Sequence, residues 1–140
     1  MDKDKINEVA NSIVNSENLV ALTGTGVSTE SGIPDFRSPE SWLWSKMIPI
    51  FFTRWGFRLR PKAVYKLGRK LFTNIWLEEP AIPHKFLALL EKKGILKGVI
   101  TKNIDSLHQK TRSKSVIEVN AHLRSGTYKK CKKYIRWKKY

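Results

Sequence analysis

The chain has 140 residues, 41% of them hydrophobic and 11% aromatic, which is one domain's worth of core-forming material and excludes a disordered tail. No apolar run approaches the roughly 18 residues of a membrane span. The N-terminus MDKDKINEVANSIV lacks a secretory apolar region, and one cysteine excludes an internal disulfide, so a cytoplasmic protein with no membrane partner is expected. The net charge is +15, and no acidic residue occurs from Ser41 to Leu77 or after Glu118.

Ile6, Val9, Ile13 and Val14 recur at helical spacing, which predicts an amphipathic helix over 4–16. Leu19 to Leu22 reads as a short buried strand. Gly24-Thr25-Gly26-Val27-Ser28 then makes a glycine turn, of the kind that brings backbone N–H groups up to a phosphate in parallel α/β proteins. The dinucleotide spacing would put a third glycine at Thr29, so spacing alone fits a ligand-free turn equally well.

Residues 39–60 are rich in aromatics: Trp42, Trp44, Phe51, Phe52, Trp55 and Phe57. Pro49 and Gly56 interrupt them, predicting short helices packed as a lobe, with plain core packing as the role of the rings. Pro61 opens a helix running to about Trp76, with Val64, Leu67, Leu71 and Ile75 on one face. Glu79 to His84 reads as a loop. Phe86, Leu89 and Leu90 mark a further helix closed by Gly94. Leu96 to Thr101 is a second buried strand, 103–114 a polar loop with room for a helical turn, and Ser115 to Val119 a third strand. Strands alternating with helices indicate a parallel sheet of Rossmann type. The basic end, KKCKKYIRWKKY, can hold phosphates and stack bases, or serve as a solvated tail.

Three strings carry a resemblance. GTGVSTESGIPDFRS is similar to the signature of the sirtuins, the NAD-dependent protein deacylases, with Thr25 in place of the usual alanine. Pro80 and His84 fit the family's P-N-x-A-H stretch, with Ala81 and Pro83 departing from it. Thr101-Lys102-Asn103-Ile104-Asp105-Ser106-Leu107-His108 resembles T-Q-N-I-D-G-L-H, and Val116 to Val119 resembles the strand before the catalytic histidine. The resemblance runs from Leu19 to Cys131. It implies the N-terminal part of a Rossmann-like α/β domain over 1–126, with a helical aromatic lobe at about 39–76. Residues 127–140 would begin a decayed zinc-ribbon insertion with a basic tail.

In sirtuins the acyl-lysine carbonyl oxygen attacks the nicotinamide ribose, nicotinamide leaves, and the acyl group ends on ADP-ribose. The resemblance therefore implies NAD as cofactor and acyl-lysine proteins as substrates. Asp105 would accept from the nicotinamide amide, Ile104 would pack or bond through its backbone, and Asn103 would hold a water or the ribose. Gly24, Thr25, Gly26 and Thr29 would form the phosphate loop, Phe36 and Arg37 would close over ribose and phosphates, and Lys102 replaces a ribose-binding glutamine. Read without the family, Asn103 and Asp105 are also what a turn uses to cap itself, Arg37 suits a surface ion pair, and Asp35 a loop cap.

The departures bear on activity. The family's catalytic histidine and the glycine after it fall on Asn120-Ala121, and an amide can orient a hydroxyl but cannot take its proton. His122, about 7 Å further along a strand, reads as an exposed ordinary histidine rather than a substitute. The zinc module is incomplete: Tyr128-Lys129-Lys130-Cys131 stands at the first C-x-x-C pair, leaving Cys131 as a lone thiol. The strings of the family's second half are not in this sequence. The expectation is an impaired or inactive deacylase, with an unpaired sheet edge inviting self-association. The alternative is a non-catalytic basic module that binds nucleic acid through Lys129 to Lys139, or a full-length partner.

Overall fold

The computed structural model describes residues 2–33, 35, 53–128 and 130–136. Helix α1, Lys3–Val14, is opened by the Asp2 carboxylate, which accepts from the Asp4 N–H at 3.2 Å. It ends at Val14 with Asn15 as its C-cap, two residues short of the predicted 16. Its apolar stripe is not covered: none of its residues is buried, and Val9 and Val14 are exposed.

Strand β1, Leu19–Thr23, lies parallel to β2, Leu96–Thr101, and β2 lies parallel to β3, Val116–Glu118, in the order β1-β2-β3. This is the predicted parallel α/β sheet, with β3 shorter at both ends than the sequence pattern indicates. Gly98 lets the strands approach: a Cβ there would lie 2.7 Å from Ser115 Oγ and 3.0 Å from Ser115 O. The register aligns Leu22, Ile100 and Ile117 on one face, where Leu22 and Ile117 are exposed.

Among the described residues, four helical pieces lie in the crossover from β1 to β2. A 3₁₀ helix, Thr25–Ser31, leaves β1 and is closed by Gly32 at φ 82°. Helix α2, Arg54–Leu59, is capped by the Thr53 hydroxyl, and α3, Pro61–Leu77, starts on its proline. Helix α4 spans Ile82–Lys92, with Gly94 at φ 77° beyond it. The predicted loop over Glu79 to His84 is thus only partly a loop, because Pro83 in the first turn starts α4 early and puts His84 on the helix. The predicted turn within 103–114 is α5, Leu107–Lys110. A hairpin of β4, Ser125–Thr127, and β5, Tyr134–Arg136, closes the described chain.

Ile33, Ile75 and Leu107 form the apolar core, with Phe72 and Leu123 packed against it. Val64 and Ile75 face inward from α3 as expected, while the side chains of Leu67 and Leu71 lie outside those described. The aromatic lobe is corrected where it can be followed. Trp55 is 71% exposed and Phe57 45%, so neither ring is core, while Trp42, Trp44, Phe51 and Phe52 lie outside the described residues. No described helix is long and apolar enough to cross a membrane.

Candidate functional site

Side by side in the sheet, β1 and β2 end at Thr23 and Thr101, so the loops that follow them meet at the carboxyl edge, where open α/β sheets bind ligands. Lys102 N–H donates to Thr23 O at 3.0 Å, and the Thr101 hydroxyl accepts from Asn103 N–H at 3.1 Å, fixing the second loop. Asn103 Nδ2 then reaches across to the first loop, donating to Gly24 O and to Ser28 Oγ, both at 3.0 Å. Ser28 Oγ donates to Asp105 Oδ2 at 2.7 Å, and Asp105 Oδ1 accepts from Leu107 N–H at 2.9 Å. Ser28, Asn103 and Asp105 are all buried, so these bonds form in a low-dielectric interior where each matters.

Behind this triad sit two buried histidines. His84 Nε2 lies 3.4 Å from Ser28 Oγ, and His108 Nε2 lies 3.0 Å from Thr23 Oγ1, with the rings 4.9 Å apart. Because Ser28 spends its proton on Asp105, the network assigns the His84 proton to Nε2. Both imidazoles are held below their ordinary pKa. For His84 the cause is burial, partly opposed by Asp105. For His108 burial and then the neighbouring His84 lower it to about 4. His84 Nδ1, His108 Nδ1 and Asn103 Oδ1 are buried polar atoms with no hydrogen-bond partner among the described residues.

The triad borders a cleft of about 730 Å³. Gly24, Thr25 and Gly26 form one side, Lys102 to Asp105 another, with Ile33, Asp35, Ile75 and Asn120 closing it. A Cβ built on Gly24 or Gly26 meets nothing within 4 Å, so both glycines leave backbone open to the cleft. Sequence-predicted Gly24, Thr25, Gly26, Lys102, Asn103, Ile104, Asp105 and Asn120 therefore converge on one space.

Others do not converge. Thr29 does not line the cleft: it is exposed and its hydroxyl donates to Gly26 O at 2.9 Å. Ile104 O is taken by Leu123 N–H at 3.2 Å, so packing and the amide remain for a ligand. Phe36 and Arg37 lie outside the described residues. Asn120 Nδ2 donates to Lys102 O at 3.0 Å. His122 is corrected twice: β3 has ended before it, so it does not lie further along a strand, and it is half-buried rather than exposed.

Ser28, His84 and His108 carry no role that sequence alone signals, although all three stand inside the sirtuin-like strings. A buried hub of that kind becomes visible only when residues 28, 84, 105 and 108 meet in space. The turn-cap reading of Asp105 holds, since one oxygen accepts from Leu107 N–H at the start of α5, while the other accepts from Ser28. Arg124 braces the far side, giving two bonds to Glu118 at 2.6 and 2.5 Å and one to Ser106 Oγ at 2.6 Å. In the hairpin, Cys131 is exposed and free. One thiol with Tyr128 does not fit the pair of thiolates that one end of a closed zinc site requires, and no cluster of three metal-ligating side chains occurs among the described residues.

The model of the Sir2 family matches residues 24–140. The chain is 44% identical over 131 residues to NAD-dependent protein deacetylase 2 of Caldanaerobacter subterraneus subsp. tengcongensis, covering 92% of this chain and 52% of that protein. It is similar to a solved Sir2 with deacetylated p53 peptide and 3'-O-acetyl ADP-ribose, at TM-score 0.85 and 35% identity, covering 94% of this chain and 53% of that one. A Sir2 homologue–NAD complex matches at TM-score 0.83 and 34% identity, over 94% and 51%. The chain spans about half the length of the curated relatives it matches.

Proposed function

The chain belongs to the Sir2 family, and from that membership we propose that it carries the NAD-binding half of a protein-lysine deacylase whose base position is disabled. The observation that carries this is the buried Ser28–Asn103–Asp105 triad opening on a glycine-lined cleft. Its residues fit NAD: the cleft is of ligand size, Gly24 and Gly26 leave backbone open beside it, and Asn103 Oδ1 is a buried acceptor awaiting a donor. When bound, NAD supplies the ribose carbon to which the acyl oxygen of an acyl-lysine protein adds as nicotinamide leaves.

The chain's own residues would do the following. Asp105 and Asn103 would orient the carboxamide, with Ser28 fixing both. Ile104 and Ile33 would exclude water from that end. Thr25 and the two glycines would receive phosphates, with Lys102 as a cation at the rim. Asn120 would orient a ribose hydroxyl and leave its proton in place, because its amide has no basic pKa. Residues 1–126 would then be the cofactor unit. Residues 127–140, which carry the second strand of the hairpin, would be the start of the zinc-ribbon insertion without its metal.

Nicotinamide release from NAD in the presence of an acetyl-lysine peptide tests the base assignment. The chain is expected to run at least about a hundredfold below a relative that has histidine at this position, the usual worth of a general base. A rate equal to that relative's would overturn the reading of Asn120.

A further inference from the structure

The cleft leaves most of the +15 charge unexplained, and a large share of it is on α2 and α3. Arg54, Arg58, Arg60, Lys62, Lys66 and Arg69 are all exposed, none pairs with a described acidic group, and no acidic residue interrupts 53–77. On α3, Lys62, Lys66 and Arg69 stand at i, i+4 and i+7, with Tyr65 between them, within an arc of about 100°. Val64 and Ile75 occupy the opposite face and are buried. Tyr65 is 66% exposed yet held in place, its ring edge-on to Phe57 at 5.3 Å.

We propose that this outer face of α3, with Tyr65 at its centre, binds single-stranded nucleic acid. Three cations over roughly 10 Å of helix suit a run of phosphates, and a fixed, exposed ring among them suits base stacking. An anionic membrane is the other polyanion to weigh. A helix that lies in a membrane keeps its apolar and basic faces apart and offers the apolar one to lipid. Here the apolar face of α3 is spent on the core, and the exposed ring is interleaved with the cations. The basic hairpin is the rival location: Lys130, Lys132, Lys133 and Arg136 are exposed there too, but Tyr134 among them has no ring contact with a described residue of the kind that Phe57 gives Tyr65.

The test is anisotropy of a labelled single-stranded 20-mer oligonucleotide against the whole chain over a salt series. The chain should bind at low salt. The triple variant K62Q/K66Q/R69Q should lose roughly tenfold or more in affinity, with the salt slope shallower by about 2, as expected for three phosphate contacts on a single strand. Tyr65→Leu keeps an apolar contact for Phe57 and should lose roughly tenfold with the slope unchanged. K130Q/K132Q/K133Q on the hairpin should bind as the parent does. No binding at low salt, loss on the hairpin variant instead, or binding to phosphatidylserine vesicles but not to the oligonucleotide would each overturn the proposal.

Discussion

Ala121 and Ser106 adopt left-handed backbone, with φ of 70° and 63°, at the two positions where the sirtuin strings carry glycine. A side chain in that region costs roughly 1 kcal/mol that glycine avoids. The two positions differ in what offsets the cost. Ser106 Oγ accepts from Arg124, whereas nothing comparable is gained at Ala121. Ala121→Gly should therefore stabilise the chain by about 1 kcal/mol, raising its unfolding midpoint by roughly 4 °C. Ser106→Gly should give no gain, because a charge-assisted bond worth about 1.5 kcal/mol or more is lost with it. Thermal unfolding of the two variants checks this, and equal shifts would contradict it. The glycine strings were legible in the sequence as a family mark. That these two replacements leave the backbone where glycine would put it was not, since a one-letter string carries no φ.

At the scale of elements, α4 and α5 meet through His84 and His108, and this contact requires neutral rings. Both native pKa values lie below the ordinary 6.5, with Asp105 and Glu118 only partly opposing the shift. The sign follows directly: between pH 6.5 and about 4 the unfolded chain holds more protons than the native one, so stability falls as pH falls through that window and is complete above it. The midpoint of unfolding should drop between pH 7 and pH 5, and His108→Asn should flatten the drop. An unchanged slope in that variant would place the sensitivity elsewhere.

The strands and long helices were readable because their patterns are local: apolar runs for β1 and β2, inward-facing Val64 and Ile75 for α3. What was not readable was tertiary. Pro83 could end a loop or begin a helix, and it begins α4, carrying His84 from a loop into the buried hub. Trp55 looked like core from its type, yet it is exposed. Gly24, Thr25, Gly26, Lys102 to Asp105 and Asn120 were legible from the strings as cleft residues; Ile75 on α3 was not, nor was Ser28, whose importance lies in Asn103 and Asp105 meeting it from 75 and 77 residues away.

For the molecule as a whole, buried polar residues outnumber buried apolar ones among those described, so the cleft loops are themselves much of the interior. Leu22 and Ile117 on the open sheet face and Val9 and Val14 on α1 are exposed apolar side chains that add nothing to that interior. Folding and cofactor binding should therefore be coupled, since NAD would complete the polar interior that Asn103 Oδ1 leaves unfinished. The most direct measurement is thermal unfolding of the chain with and without millimolar NAD, alongside Asp105→Asn. A ligand that binds only the native state raises the midpoint. One cooperative transition is expected, moving upward with NAD in the native chain and staying in place in Asp105→Asn. A native transition indifferent to NAD, or an equal rise in both proteins, would contradict it.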